Sequence, residues 1–241
     1  MRHRATPLPM EGLLELVYPP ACVACDEVLP GPGFFCEACE ALVLETPSPH
    51  CRTCSEPGAF PSARCPRCES RPPPFTIAYA PLEHDGAVAK AIHRFKYEQR
   101  PDLGRPLAAL LATTAKAFFR DVPGVLVPLP LHTGRFRERG YDQATLLAVE
   151  LGAVLKRPVH DAWLERRRAT ERQVGLSEDA RDANVRGAFW ASPDVKEQTL
   201  VLVDDVYTTG STAAEATRTL KAAGATRVFI ATLARARREL L

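Results

Sequence analysis

No apolar run in this 241-residue sequence is longer than a β-strand, which excludes a membrane-spanning helix of about 20 apolar residues. Aromatic residues amount to only 7%, with two Trp, too sparse for an extended platform on which nucleobases stack. Neither sign of charge dominates, since 31 Lys and Arg face 29 Asp and Glu for a net charge of +2. The near-balance hides an asymmetry. Residues 1–71 hold six Arg and no Lys against nine acidic residues, a net −3, and the remainder carries +5. Gly-x-x-x-x-Gly-Lys is missing, so the chain has no Walker loop. A secretory signal is lacking as well: Met1-Arg-His-Arg is basic, but Pro7, Pro9, Glu11 and Glu15 interrupt the stretch where an apolar core would lie. The expected location is cytoplasmic.

Cysteine, in contrast, is abundant and ordered. All eight lie in four Cys-x-x-Cys pairs, Cys22/Cys25, Cys36/Cys39, Cys51/Cys54 and Cys65/Cys68, and a shift of 29 carries the first four onto the last four. A Cys-x-x-Cys knuckle brings two thiolates to one metal, and two knuckles complete a tetrahedral structural Zn²⁺ shell. Disulfides do not suit a chain without a secretion signal, and a redox dithiol occurs once in a βαβ context, not four times among prolines. Two structural Zn²⁺ sites are therefore expected. Pairing within each repeat closes the shorter loops, while an interleaved cross-brace remains open. The acidic balance of this segment argues against nucleic-acid binding and favours docking or scaffolding. A short amphipathic helix over 8–18 should precede the cysteines, and Glu69-Ser-Arg-Pro-Pro-Pro74 should form a stiff linker. The expected division is a helix plus duplicated zinc ribbon over 1–71 and a second domain over 72–241.

From Phe75 the pattern alternates between strand and helix. Strands are expected at 75–82, 124–129, 158–160, 162–167, 199–204 and 226–233. Helices are expected at 86–97, within 104–120, at 140–155, near 177–184 and at 211–223. Such alternation implies an α/β domain with a parallel sheet between helices. Ligands in these sheets sit at the carboxyl ends of strands. There lies the most informative stretch, Leu200-Val-Leu-Val-Asp-Asp-Val-Tyr-Thr-Thr-Gly-Ser-Thr212. Four apolar residues read as a buried strand closed by Asp204 and Asp205. A loop of small hydroxylated residues around Gly210 then enters a helix, whose first N–H groups and dipole suit a phosphate. Adjacent carboxylates suit ribose hydroxyls or a hydrated Mg²⁺. Together they describe a sugar-phosphate site.

Two Arg-rich segments add to this picture. After strand 124–129 comes Pro130-Leu-His-Thr-Gly-Arg-Phe-Arg-Glu-Arg-Gly-Tyr-Asp-Gln143, a loop with cations at Arg135, Arg137 and Arg139 suited to charge on a leaving pyrophosphate. The alternative is a solvated basic loop in which Asp142 caps the next helix. Residues 165–189 have the polar texture of a loop and short helix, either a mobile lid or an ordinary surface excursion.

The segment Asp204 to Thr212 closely resembles the phosphoribosyl-pyrophosphate (PRPP) signature of type I phosphoribosyltransferases. Over nearly the whole chain the sequence resembles the ComF family of competence-associated proteins, which join a zinc module to such a domain. The landmarks are Pro19 to Cys25, Phe95-Lys96-Tyr97, Val127-Pro-Leu-Pro-Leu131 and Arg139-Gly-Tyr-Asp-Gln-Ala144. After these come Thr170, Gln173, Leu176, Arg181, Asn184-Val185 and Phe189, and then the PRPP motif. Asp142 departs from the Asn usual in the family; it removes an amide donor and adds negative charge. The resemblance implies a Rossmann-like phosphoribosyltransferase fold with a small hood. It implies that Asp204, Asp205, Val206, Thr208, Thr209, Gly210, Ser211 and Thr212 hold ribose 5-phosphate, with Mg²⁺. Leu131, His132, Arg135, Arg137 and Arg139 would face pyrophosphate. Lys96, Arg168, Thr170 and Gln173 would close over the ligand. Asp204, Asp205 and Arg139 are the catalytic candidates.

Three functions are compatible with these residues. One is a PRPP-binding phosphoribosyltransferase active in natural transformation, with single-stranded DNA and DNA-uptake proteins as the partners the resemblance implies. Another is a non-catalytic accessory that binds DNA or partners through the +5 domain and the Arg235, Arg237, Arg238 run. The third is a nucleobase-salvage enzyme, for which the zinc module would be superfluous.

Overall fold

A computed structural model of the chain describes residues 19–168 and 178–237. The expected helix over 8–18, together with Thr170, Gln173 and Arg238, lies outside the described residues. The 29-residue repeat is visible as repeated geometry. Cys22 N–H donates to the Glu27 carbonyl at 2.8 Å, and Cys51 N–H donates to the Glu56 carbonyl at 2.7 Å. Isolated bridges Ala21–Val28 and His50–Pro57 stand at the same offset. Short helices α1 (Glu37–Glu40) and α2 (Pro66–Ser70) each start on the third cysteine of their unit.

The main domain is built on one parallel sheet. β1 (Ala78–Tyr79) and β2 (Leu82–Glu83) both pair with β7 (Arg227–Arg235), β7 with β6 (Thr199–Tyr207), and β6 with β3 (Val125–Pro128). The single strand expected over 75–82 is thus split in two, because Pro81 has no N–H to offer the ladder. The strand expected at 158–160 is reduced to one parallel bridge, Val159 to Leu126, with the Leu126 N–H donating to the Pro158 carbonyl and the His160 N–H to the Leu126 carbonyl, each at 3.0 Å. β4 (Leu164–Arg166) instead pairs antiparallel with β5 (Phe189–Ala191) in a separate hairpin. β6 also runs past the expected end at 204, because Val206 and Tyr207 find Ala234 and Arg235 on β7.

Helix α3 (Gly86–Tyr97) starts where Asp85 accepts the Gly86 N–H, and it buries Val88, Ile92 and Phe95. The helix expected within 104–120 breaks at Ala115 into α4 (Gly104–Thr114) and α5 (Lys116–Asp121). The segment read as an Arg-rich loop is helix α6 (Thr133–Arg139), followed by α7 (Gln143–Leu155). α8 (Glu178–Val185) precedes β5, and α9 (Ser211–Ala222) follows β6.

Strand alternation sends Val201 and Val203 to one core with α3, α4, α7 and the first ribbon. Leu200 and Leu202 go to the other core, with α9 and the second ribbon. Both ribbons are therefore packed into the domain through buried thiols and are not appended to its surface. At the first ribbon the approach is close enough that a Cβ on Gly86, at φ +51°, would lie 2.3 Å from the Leu42 carbonyl oxygen.

Candidate functional site

Asp204 and Asp205 face opposite sides at the carboxyl end of the sheet. Asp204, half-buried, lines a recess of about 60 Å³ with Thr208, Gly210, Thr212 and Thr232. The recess adjoins a cavity of about 490 Å³ that both carboxylates border. Asp205 is 5% exposed and forms an ion pair with Lys96 at 2.5 Å, while its own N–H donates to Asp204 Oδ1 at 2.8 Å. Burial, with the neighbouring Asp205 charge added, pushes the Asp204 carboxyl well above the ordinary range. Burial opposes ionisation of Asp205 too, but the Lys96 ammonium outweighs it and holds that carboxyl low. The pair is thus an unequal one, with Asp205 committed to Lys96 and Asp204 facing the cavity.

The loop after β6 owes its shape to Gly210, at φ +82°, where a Cβ would stand 2.2 Å from the Tyr207 hydroxyl. Gly210 at the N-cap of α9 offers no side chain to its first turn, and the Ser211 N–H makes only a long bond, 3.5 Å, to Thr209 Oγ1. Thr208 and Thr212 line the recess. Thr209 and Ser211 turn the other way, their hydroxyls 3.1 Å apart and buried on the side of the second ribbon.

Cations form the opposite wall. Arg135, Arg139 and Lys96 border the cavity with Leu131 and Val206, whereas Arg137 is exposed and does not line it. The ring of His132 caps α6 by accepting the Gly134 N–H at 3.2 Å, and it does not line the cavity either. Arg139 donates to Gln143 Oε1 at 2.8 Å and lies over the Tyr97 ring at 5.0 Å. Asp142 spends both oxygens on backbone, accepting from Thr145 N–H at 3.0 Å and Leu131 N–H at 2.7 Å. It is a helix cap that also anchors the 130–132 turn. Arg168 donates to the carbonyls of Asn184 and Arg186, closing the hairpin without lining the cavity.

The cavity also draws on residues to which the sequence reading gave no place in the ligand site: His84, Tyr97, Gln143, Arg166 and Arg237. Arg166 sits over Phe189, and burial with nearby Arg135 lowers its pKa to about 10. Burial and Lys96 both depress His84. Tyr97 adjoins Lys96 in the Phe-Lys-Tyr element, so its neighbour was the available signal. Arg166 and Arg237 reach the cavity from two separate Arg runs of the sequence, and nothing local in either run aims them at the end of β6.

The thiols form two quartets, Cys22, Cys25, Cys36 and Cys39 in one and Cys51, Cys54, Cys65 and Cys68 in the other, with all ligand atoms within 4.8 Å in each. Pairing is within repeats, not cross-braced. Hydrogen bonding to Cys54 and burial push the Cys68 thiol far above its usual range, and burial does the same to Cys39. Four such groups cannot all ionise side by side without a cation among them. Both quartets therefore fit a structural Zn²⁺ held by four thiolates.

Comparison with known proteins gives two family matches. Residues 13–69 match the double zinc ribbon domain, and residues 142–241 match the phosphoribosyl transferase domain. A relative in Salmonella typhimurium, named DNA utilization protein YhgH, is 32% identical over 204 residues, covering 83% of this chain and 89% of its own. The chain belongs to the ComF family. A further ComF relative, the Escherichia coli protein of the same name, is 31% identical over 91% of this chain and 99% of its own. Competence protein F of Haemophilus influenzae is 29% identical over 83% and 90%. The fold is that of a type I phosphoribosyltransferase domain preceded by zinc ribbons. Among the described residues no helix is long and apolar enough to cross a membrane.

Proposed function

We propose that this ComF protein binds PRPP with Mg²⁺ in the cavity at the end of β6 and acts in the handling of DNA taken up by the cell. The observation that carries the reading is one continuous site of three chemistries. A glycine-turned recess at the start of α9 suits a 5′-phosphate, Asp204 and Asp205 suit the ribose hydroxyls, and Lys96, Arg135 and Arg139 suit a pyrophosphate. The names of the relatives, DNA utilization protein and competence protein, support the biological setting.

In transfer, a bond forms between an acceptor nucleophile and ribose C1 as the bond from C1 to the pyrophosphate oxygen breaks. The electron pair leaves with the pyrophosphate. Arg135 and Arg139, which border the cavity, would stabilise that charge, which is where such catalysis gains most. Asp204 would accept from a ribose hydroxyl and orient the ring, and its carboxyl, pushed up by burial and by Asp205, would ionise on holding Mg²⁺ because the cation reverses that shift. Mg²⁺, when bound, supplies further neutralisation of the leaving group. Lys96 keeps Asp205 ionised before the ligand enters.

Isothermal titration with PRPP and Mg²⁺ tests the binding. The native chain should bind, and Asp204→Asn/Asp205→Asn should bind at least tenfold more weakly at unchanged zinc content. Native protein that takes up no heat refutes the reading. Pyrophosphate release in the presence of nucleobases or single-stranded DNA then separates a transferase from a binding protein. A DNA role has one observation of its own: Tyr97, which borders the cavity under Arg139, is 59% exposed, and Phe136 of α6, next to Arg137 in sequence, is 48% exposed. Aromatics amid cations suit single-stranded bases, and fluorescence anisotropy across a salt series should show affinity that falls steeply with salt.

A further inference from the structure

The second zinc ribbon meets the phosphate loop at a pocket of its own, lined by Arg67, Cys68, Thr209, Gly210 and Ser211. α2 follows ligand Cys65, contains ligand Cys68 and carries Arg67, whose Nη1 donates to the backbone carbonyl of Thr209. In a planar trans peptide the C=O and the following N–H point in opposite directions. Holding the Thr209 carbonyl toward the ribbon therefore turns the Gly210 N–H away from the ribbon, at a glycine that borders both the ribbon-side pocket and the recess. A second link runs through Tyr207. Its ring is 5% exposed, meets Phe75 edge-on at 6.2 Å and has the Arg235 guanidinium 5.0 Å from its centre. Arg235 in turn donates to the carbonyl of Cys54, another ligand of the same quartet, at 2.6 Å and pairs with Glu56. The first ribbon is tied elsewhere: Arg94 donates to the Val23 carbonyl at 3.1 Å and pairs with Asp26, which fixes that ribbon to α3.

We propose that the second zinc ribbon is a positioning element of the phosphate loop, with Arg67 as the residue that orients the Thr209–Gly210 peptide. The ribbon at Cys51, Cys54, Cys65 and Cys68 then has a task within the ligand site as well as in folding. The metal holds α2 in place, α2 holds Arg67, and Arg67 sets the direction of a loop N–H. The ligand half of this inference rests on the reading that the loop takes a phosphate; the orientation of the peptide does not.

Arg67→Met keeps the aliphatic stem and removes the donor, and Arg67→Lys restores a cationic donor. In the zinc-loaded full chain, Arg67→Met should retain two zinc ions and a near-native melting point. It should bind PRPP about tenfold more weakly, the loss typical of one charge-assisted hydrogen bond. Hydrogen exchange of the amides at 209–212 should be about tenfold faster, and Arg67→Lys should recover most of both. Native exchange at 209–212 in Arg67→Met overturns the proposal, whatever the ligand data show. If the native chain binds neither PRPP nor inorganic phosphate, the phosphoribosyl reading falls, and faster exchange in Arg67→Met still supports the positioning role.

Discussion

One methyl group at Gly210 probes the construction of the whole loop. Replacing Gly210 by Ala puts a Cβ on a residue at φ +82°, a left-handed conformation that costs an L-residue about 1–2 kcal/mol. The same Cβ would lie 2.2 Å from the Tyr207 hydroxyl and 2.6 Å from Cζ. A free tyrosine would swing aside, but this ring is held between the edge of Phe75 and the face of Arg235. Overpacking of this kind adds about 1–3 kcal/mol, so Gly210→Ala should destabilise by about 2–5 kcal/mol. For a chain of this size each kcal/mol lowers the melting point by about 2–4 °C, a fall on the order of 10 °C in scanning calorimetry. Tyr207→Phe removes the nearer clashing atom, so the double variant should recover about 1 kcal/mol relative to additivity. A Gly210→Ala protein that melts within about 2 °C of native, or a double variant with no coupling, refutes the account of the loop.

Lys96→Met leaves Asp205 buried without its cation. Breaking a buried pair costs about 3–5 kcal/mol, and the 20% exposure of the Lys96 side chain reduces that to about 2–3 kcal/mol. The sign with pH follows from the depressed Asp205 pKa. The stabilisation is complete above the ordinary carboxylate range and is lost as pH falls through the folded-state value. Urea denaturation should therefore show a deficit that is largest at neutral pH and shrinks on acidification; a pH-independent deficit contradicts the pairing. For the metals, Cys25 is the exposed member of the first quartet, while all four thiols of the second are buried. A strong chelator followed with a colorimetric zinc indicator should remove one zinc per chain quickly and the other slowly, and Cys25→Ser should abolish the fast phase. A single phase carrying both ions argues against that order.

Much of the architecture was legible because it is written in local patterns. Helix 86–97 matches its expected bounds, since Asp85 supplies the cap and Val88, Ile92 and Phe95 mark one face. The four apolar residues before Asp204 announced the central strand, and the offset of 29 announced the two zinc units. Local patterns also misled. The Arg135–Arg139 segment looked like a loop because it is polar nearly throughout, yet the His132 cap and the left-handed Gly140 delimit a helix with no buried face. β5 went unread because three residues carry too little periodicity to register.

The sequence by itself determined the zinc repeat, the strand–loop–helix of the phosphate site and membership in a family that joins the two. Those are patterns of residues close along the chain, and spacing alone expresses them. Only the tertiary structure decided that the thiols pair within repeats, that β6 continues past the acidic pair to Tyr207, and that Lys96 lies against Asp205. It also decided that the second ribbon touches the loop, through Arg67 and a carbonyl 142 residues further on. Such contacts depend on which faces of distant elements a core brings together, and helix or strand periodicity carries no record of that.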